Sequence, residues 1–201
     1  MLNVSEIVSQ QAENISNWHN NIPLPEDKLP FKFIQENNYW NYQLWHEEDI
    51  ARAKDIDPAR IIEAKRNIDH YNQQRNNSIE NIDEWVLNYL IAKKVKMSEK
   101  LHSETPGMMI DRLSIMSLKI YHMSEESIRQ NATNEHRLRC KDLVIILKQQ
   151  IDDLANCLSE VLNHLEKGEL KFKVYRQLKM YNDPSLNPQL YNKVDNNNGS
   201  K

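Results

Sequence analysis

The sequence predicts an all-helical fold, about five helices in a bundle with a short irregular C-terminal tail, on three observations. Glycine is scarce: 3 in 201 residues, too few for the many turns of a sandwich or barrel. Apolar residues recur at three- and four-residue spacing along most of the chain. Between those stretches stand cap-plus-proline pairs, Asp57-Pro58 and Thr105-Pro106, where a helix can restart.

The elements follow in order. Val4, Ile7, Val8, Ala12, Ile15 and Trp18 define an amphipathic helix over 4–18. Pro23, Pro25 and Pro30 make a stiff link, so the second helix starts near Phe31 and runs to about Ala53. It is rich in aromatics (Phe33, Tyr39, Trp40, Tyr42, Trp45), whose simplest role is core packing. From Pro58 to about Ala92 neither proline nor glycine interrupts, giving one helix of about nine turns. After a lysine-rich connector, Thr105-Pro106 opens a helix to about Gln130. Thr133 caps the last helix, which runs to Lys167 and stops at Gly168. Its seam is Leu143, Leu147, Ile151, Leu154, Leu158, Val161 and Leu165, a core stripe, with Cys140 and Cys157 read as small core residues beside it.

Residues 169–191 mix strand-like alternation (Leu170, Phe172, Val174) with helical spacing and turn signals at Asn182-Asp183-Pro184 and Asn187-Pro188. The expected organisation is an N-terminal helix and link over 1–30, a bundle over 31–168, an extension packed on it over 169–194, and a disordered tail over 195–201.

Composition excludes several functions. The net charge of −3 leaves no basic surplus for a nucleic acid backbone. No GxGxxG or GxxxxGK[ST] occurs. Two cysteines 17 residues apart on one helix lie roughly 25 Å apart, too far for a disulfide. No run approaches the roughly 20 apolar residues of a membrane span, and the N-terminus lacks a basic, then apolar, leader. A cytoplasmic protein with reduced thiols is expected.

Function is signalled by polar residues on apolar seams. On the long helix the seam is Ile61, Lys65, Ile68, Asn72, Arg75, Ile79, Ile82, Val86 and Tyr89, with Asp69 and Asn76 one step away. On the helix after Pro106, Asp111, Arg112, Lys119 and His122 interrupt apolar stripes. His46 and Asp49 share a face of the second helix. Buried charges need partners from other helices or a ligand, and bundle sites are built that way. The ligand-binding candidates are therefore Lys65, Asp69, Asn72, Arg75, Asp111, Arg112, Lys119 and His122. With Arg66, the cations form a set suited to phosphate or carboxylate. The bland alternative is a register-fixing ion pair, Arg75 with Asp111; if that pair stands alone, apolar replacement of both partners is neutral or stabilising.

A divalent metal has weaker support: His46 with Asp49, and Glu80 with Asp83 as an E-x-x-D pair. Such pairs hold magnesium in all-helical nucleotide pyrophosphatases, but the companion E-x-x-E is missing, since Ile50 and Ala51 follow Glu47 and Glu48 at that spacing.

Four runs in order, WHEEDIAR (45–52), KRNIDHYNQQRNNSIENID (65–83), ETPGMMIDRLSIMSLKIYHM (104–123) and YRQLKMYNDPSLNPQLY (175–191), resemble the bacterial family catalogued as domain of unknown function 4254. The resemblance implies an all-helical bacterial protein and no particular activity. The family pattern places an acid two residues after the arginine of its NQxR turn; Asn77 stands there.

Two functions of different class follow. One is binding of a small anionic or phosphorylated compound in the bundle interior, with hydrolysis or isomerisation the reactions its acids and histidines would serve. Whether the protein is an enzyme is left open. The other is a non-catalytic interaction or assembly protein, using the leucine helix or the basic tail (Lys171, Lys173, Tyr175, Arg176, Lys179, Tyr181). The 35 residues of the long helix span about 52 Å, enough to overhang and pair with a second copy as a homo-oligomer.

Overall fold

The computed structural model describes residues 1–24, 28–178 and 185–186. Pro25, Lys179, Tyr181, both turn signals of the tail and residues 195–201 lie outside the described residues. Five helices follow in order: α1 (Val4–His19), α2 (Phe31–Arg52), α3 (Pro58–Ala92), α4 (Pro106–Ile128) and α5 (Asn134–Glu166). Among the described residues there is no strand, and Leu101 and Lys171 form an isolated bridge. Among the described residues no helix is long and apolar enough to cross a membrane.

The ends are where local chemistry put them. Asp57 and Thr105 accept from Ala59 N–H and Met108 N–H ahead of the prolines, and Thr133 accepts from His136 N–H. Gly168, at φ 72°, ends α5: its N–H donates to Leu165 O, and Glu169 N–H donates to His164 O. That pair of bonds is a Schellman cap, and its left-handed residue favours glycine.

The core joins Val86 and Leu90 of α3, Ile110 and Leu113 of α4, and Leu154, Leu158, Leu162 and Leu165 of α5, with Ile7 of α1. Leu170 and Phe172 of the extension are buried in it. The extension is tied down further by Arg176, which pairs with both Glu80 and Glu84 of α3, and by Gln177 N–H, which donates to Glu80 Oε1 at 2.8 Å.

Two expectations, a core place for Cys157 and for the α2 aromatics, are corrected. The two longest helices pack on different neighbours: α3 on α2 and α4, and α5 on α4 and α1. The C-terminal ends of α3 and α5 are linked by Tyr89 Oη, which donates to Glu166 at 2.8 Å. Cys140 is buried but Cys157 is exposed, because position 157 falls outside the Leu154–Leu158–Val161 stripe. The α2 aromatics are not its buried line. That line is Ile34, Asn37, Asn38, Asn41, Leu44 and Glu47, and the rings flank it half-exposed.

The start of α4 docks on α3 through Asp83, which is 2% exposed. Gly107 N–H donates to its Oδ1 at 2.7 Å, and the Thr105 hydroxyl is a second partner. Burial nevertheless dominates and lifts this carboxyl to about 6, with Glu80 adding to the rise against the two hydrogen bonds. The folded state therefore holds this proton more tightly than the unfolded chain between pH 3.8 and about 6. The group's contribution to stability is greatest below that window and falls as pH rises through it, by roughly 3 kcal/mol at most. Asp83→Asn should remove this decline. In urea denaturation from pH 4 to 7, the difference between variant and wild type should move in the variant's favour; parallel curves would contradict the assignment.

Candidate functional site

The helices bring together a groove and, behind one wall of it, a cluster of histidines. The groove lies between α2, α3 and α4 and has a volume of about 270 Å³. α2 supplies Asn41, Leu44, Trp45, Glu48, Asp49 and Arg52; α3 supplies Asn72 and Arg75; α4 supplies Ile115 and Leu118.

Asn41 joins the groove to a buried polar network that the apolar pattern did not reveal. Asp111, 8% exposed, accepts through Oδ1 from Asn37 Nδ2 at 3.0 Å and Asn41 Nδ2 at 2.9 Å. Asn41 also donates to Ser114 Oγ at 3.2 Å, and Ser114 donates to Asn38 Oδ1 at 3.2 Å. Asn38 Nδ2 then donates to the Gln11 carbonyl of α1 at 3.0 Å, and Gln11 Nε2 to Ile110 O at 3.2 Å. Lower on α2, buried Glu47 accepts from Arg60 and Asn67, each at 3.1 Å. The missed signal was the i, i+1, i+4 spacing of Asn37, Asn38 and Asn41 between Ile34 and Leu44. It is a helix face read by side-chain amides instead of carbon.

Arg75 is the cation of this site that lacks a close partner. Its Nε lies 3.8 Å from Asp111 Oδ1, is buried, and has no hydrogen-bond partner among the described residues. The other groove arginine, Arg52, is paired with Glu48 at 2.8 Å.

The remaining candidates separate. Asn72 joins Arg75 in the groove. Lys65 and Asp69 are exposed and pair with each other at 3.4 Å, one turn apart. The buried line of α3 enters through Ala64 and Ile68, which leaves position 65 on the solvent side. Arg112 is exposed and pairs with Glu104 at 2.6 Å, and with Lys119 it lines a separate recess between α4 and α5. Arg66 is exposed too. The cationic set is thus split over three faces. Glu80 and Asp83 do not share an ion site: Glu80 faces Arg176 and Gln177, while Asp83 caps α4.

Behind Trp45 lies the histidine cluster. His19 is the last residue of α1, His46 sits on α2 and His122 on α4. Trp45 lines the groove with one face and stacks on His122, with ring centroids 4.7 Å apart and planes 10° apart. Tyr121 stacks on His19 at 4.1 Å, and Tyr42 packs edge-on to His46 at 4.6 Å. Burial among these rings pulls both His46 and His122 below the ordinary imidazole value, reinforced by the neighbouring histidines and opposed by Asp49 and Glu125. Neutral imidazoles at pH 7 follow. Asp49 is exposed on the groove side and is not one of the three clustered groups. Periodicity placed His46 and His122 on inward faces; His19 carried no signal of its own.

The model of a protein family described as "Protein of unknown function (DUF4254)" matches residues 31–174, which include α2, α3, α4, α5 and the start of the extension. The chain belongs to the DUF4254 family. No curated protein and no solved structure matches this DUF4254 chain. The groove and two of the three histidines, His46 and His122, fall inside the matched segment; His19 precedes it.

Proposed function

We propose that this DUF4254 protein binds a small compound with an anionic end, such as a phosphate ester or carboxylate, in the groove between α2, α3 and α4. The observation that carries the reading is Arg75, which lines the groove and whose buried Nε, 3.8 Å from Asp111, has no hydrogen-bond partner among the described residues. A buried donor left unmatched is costly, and a phosphate or carboxylate oxygen matches it with a charge-assisted bond. Asn72 adds an amide beside it, and Glu48 and Asp49 across the groove suit hydroxyl or ammonium groups at the ligand's other end. We infer separately a bacterial cytoplasmic location, in keeping with its two free thiols.

A thermal-shift screen of nucleotides, sugar phosphates and small carboxylates on wild type and Arg75→Met tests it. A ligand at a hundredfold over its Kd should stabilise wild type by about 2.7 kcal/mol. The shift should vanish in Arg75→Met and persist in Lys65→Met and Arg112→Met, whose side chains lie outside the groove.

A second reading, an assembly protein, is favoured by the N-terminal half of α5. Leu138, Ile145 and Ile146 are 61%, 66% and 49% exposed there. If no anion shifts wild type, while light scattering shows a multimer that Ile145→Lys dissociates, that reading replaces the first.

A further inference from the structure

The three histidines behind Trp45 come from three helices, with 26 and 75 residues between successive members, so no local motif assembles them. One ring nitrogen of each lies within 4.8 Å of one ring nitrogen of both others. The ring centroids form a nearly equilateral triangle, 5.1, 5.0 and 5.6 Å on a side, and the planes cross at 65°, 71° and 79°. The three rings pack edge-on to one another and are not stacked.

Hydrogen bonding fixes which nitrogen is free in two of the three rings. His19 Nδ1 lies 2.8 Å from the carbonyl of Ile15, which can only accept, so Nδ1 carries the proton. His122 Nδ1 lies 3.0 Å from a carboxylate oxygen of Glu125, and the same argument applies. In the neutral rings Nε2 is then a bare lone pair. The Nε2 atoms of His19, His46 and His122 are all buried and all without a hydrogen-bond partner. A buried ring nitrogen left unmatched is unfavourable, and here three are gathered. The outer partners have the form found behind metal-ligating imidazoles, a backbone carbonyl behind one ring and a carboxylate behind another.

We infer that His19, His46 and His122 form a three-imidazole site for a divalent transition metal, zinc by preference, with a fourth position open. An all-nitrogen donor set suits zinc, cobalt, nickel or copper and does not suit magnesium or calcium. At Zn–N distances of about 2.0–2.1 Å, tetrahedral ligand atoms sit about 3.3 Å apart, so small side-chain rotations close the trio on the ion. Three protein ligands leave the fourth place to water or to a ligand group. Trp45, shared between His122 and the groove, makes that place a neighbour of the proposed anion site.

The test is metal titration of the full chain after chelator treatment and dialysis, in a Cys140→Ser background. That background removes the Cys140–His136 contact of 3.4 Å as a competing site. Zinc should bind at one per chain and raise the melting temperature. Cobalt(II) should give the intense visible bands of a tetrahedral site, not the weak ones of the hydrated ion. His19→Gln, His46→Gln and His122→Gln should each weaken binding by about 100-fold or more, and Glu125→Gln by about 10–100-fold as a positioning residue. The exposed-histidine variants His70→Ala and His164→Ala should bind as wild type, and so should Arg75→Met, which separates this site from the anion groove. Should His46→Gln fail to fold, the other two variants decide. Zinc binding that survives in His19→Gln/His122→Gln, or that is lost equally in His70→Ala, overturns the proposal. So does a wild-type chain that takes up no zinc or cobalt.

Discussion

Asp111→Leu is expected to destabilise the protein by roughly 3–5 kcal/mol, the largest effect of any single change considered. Asp111 is buried and its Oδ1 accepts from two asparagine amides on α2 while facing Arg75 on α3. Leucine would strand two amide donors and one guanidinium. Removing a single partner from such a network costs the full desolvation of the groups left behind. Asp111→Asn keeps an acceptor of the same shape and should cost less. The double variant Arg75→Met/Asp111→Leu discriminates further. An isolated ion pair could be replaced by carbon at little cost, as the sequence alone allowed. With Asn37 and Asn41 also bound to this carboxylate, the double variant should recover only Arg75's share and remain well below wild type. Urea denaturation of the four proteins of this cycle gives the coupling directly. A double variant as stable as wild type would mean that the asparagine bonds contribute nothing.

Gly107→Ala should lower stability by roughly 2–4 kcal/mol, although glycine to alanine inside a helix ordinarily gains about 1 kcal/mol. Gly107 sits in the first turn of α4, against α3. A methyl group built there would lie 2.5 Å from the Ile79 carbonyl oxygen and 2.9 Å from Asp83 Oδ1. The first of these is backbone inside a long helix and cannot swing aside. The helices must part, and the 2.7 Å bond from Gly107 N–H to Asp83 stretches with them. For a chain of this length the loss corresponds to a melting temperature lower by roughly 5–15 °C. An unchanged or raised melting temperature would show that α4 does not rest on α3 at this point.

Much of the fold was legible because its signals are local. A cap, a proline and a glycine act within one turn, so Asp57-Pro58, Thr105-Pro106, Thr133 and Gly168 placed the helix ends to within two residues. The leucine seam of α5 was equally plain from Ile151 to Leu165, because apolar burial at three/four spacing needs no partner to be recognised. The α2 core line was not, because Asn37, Asn38 and Asn41 are buried through amide bonds to α1 and α4, and an amide looks like a surface residue until its partner is known.

For the candidate site, the sequence by itself determined that Asn72, Arg75, Asp111, His46 and His122 would sit on or near inward-facing sides of their helices. It did not determine which of them meet. A pattern along one helix gives that helix's buried side, but not its rotation or height against its neighbours. A seam residue such as Lys65 can therefore turn to solvent one step from the buried line, and Arg112 and Lys119 can turn out of the groove toward α5. Only the packing of α2, α3 and α4 selected Arg75 as the groove cation with a buried, unmatched nitrogen among the described residues. Only the meeting of α1, α2 and α4 brought His19, His46 and His122 within reach of one another. Contacts between residues tens of positions apart leave no period in a single chain, so three ring nitrogens within 4.8 Å of one another become visible only when the helices are assembled in space.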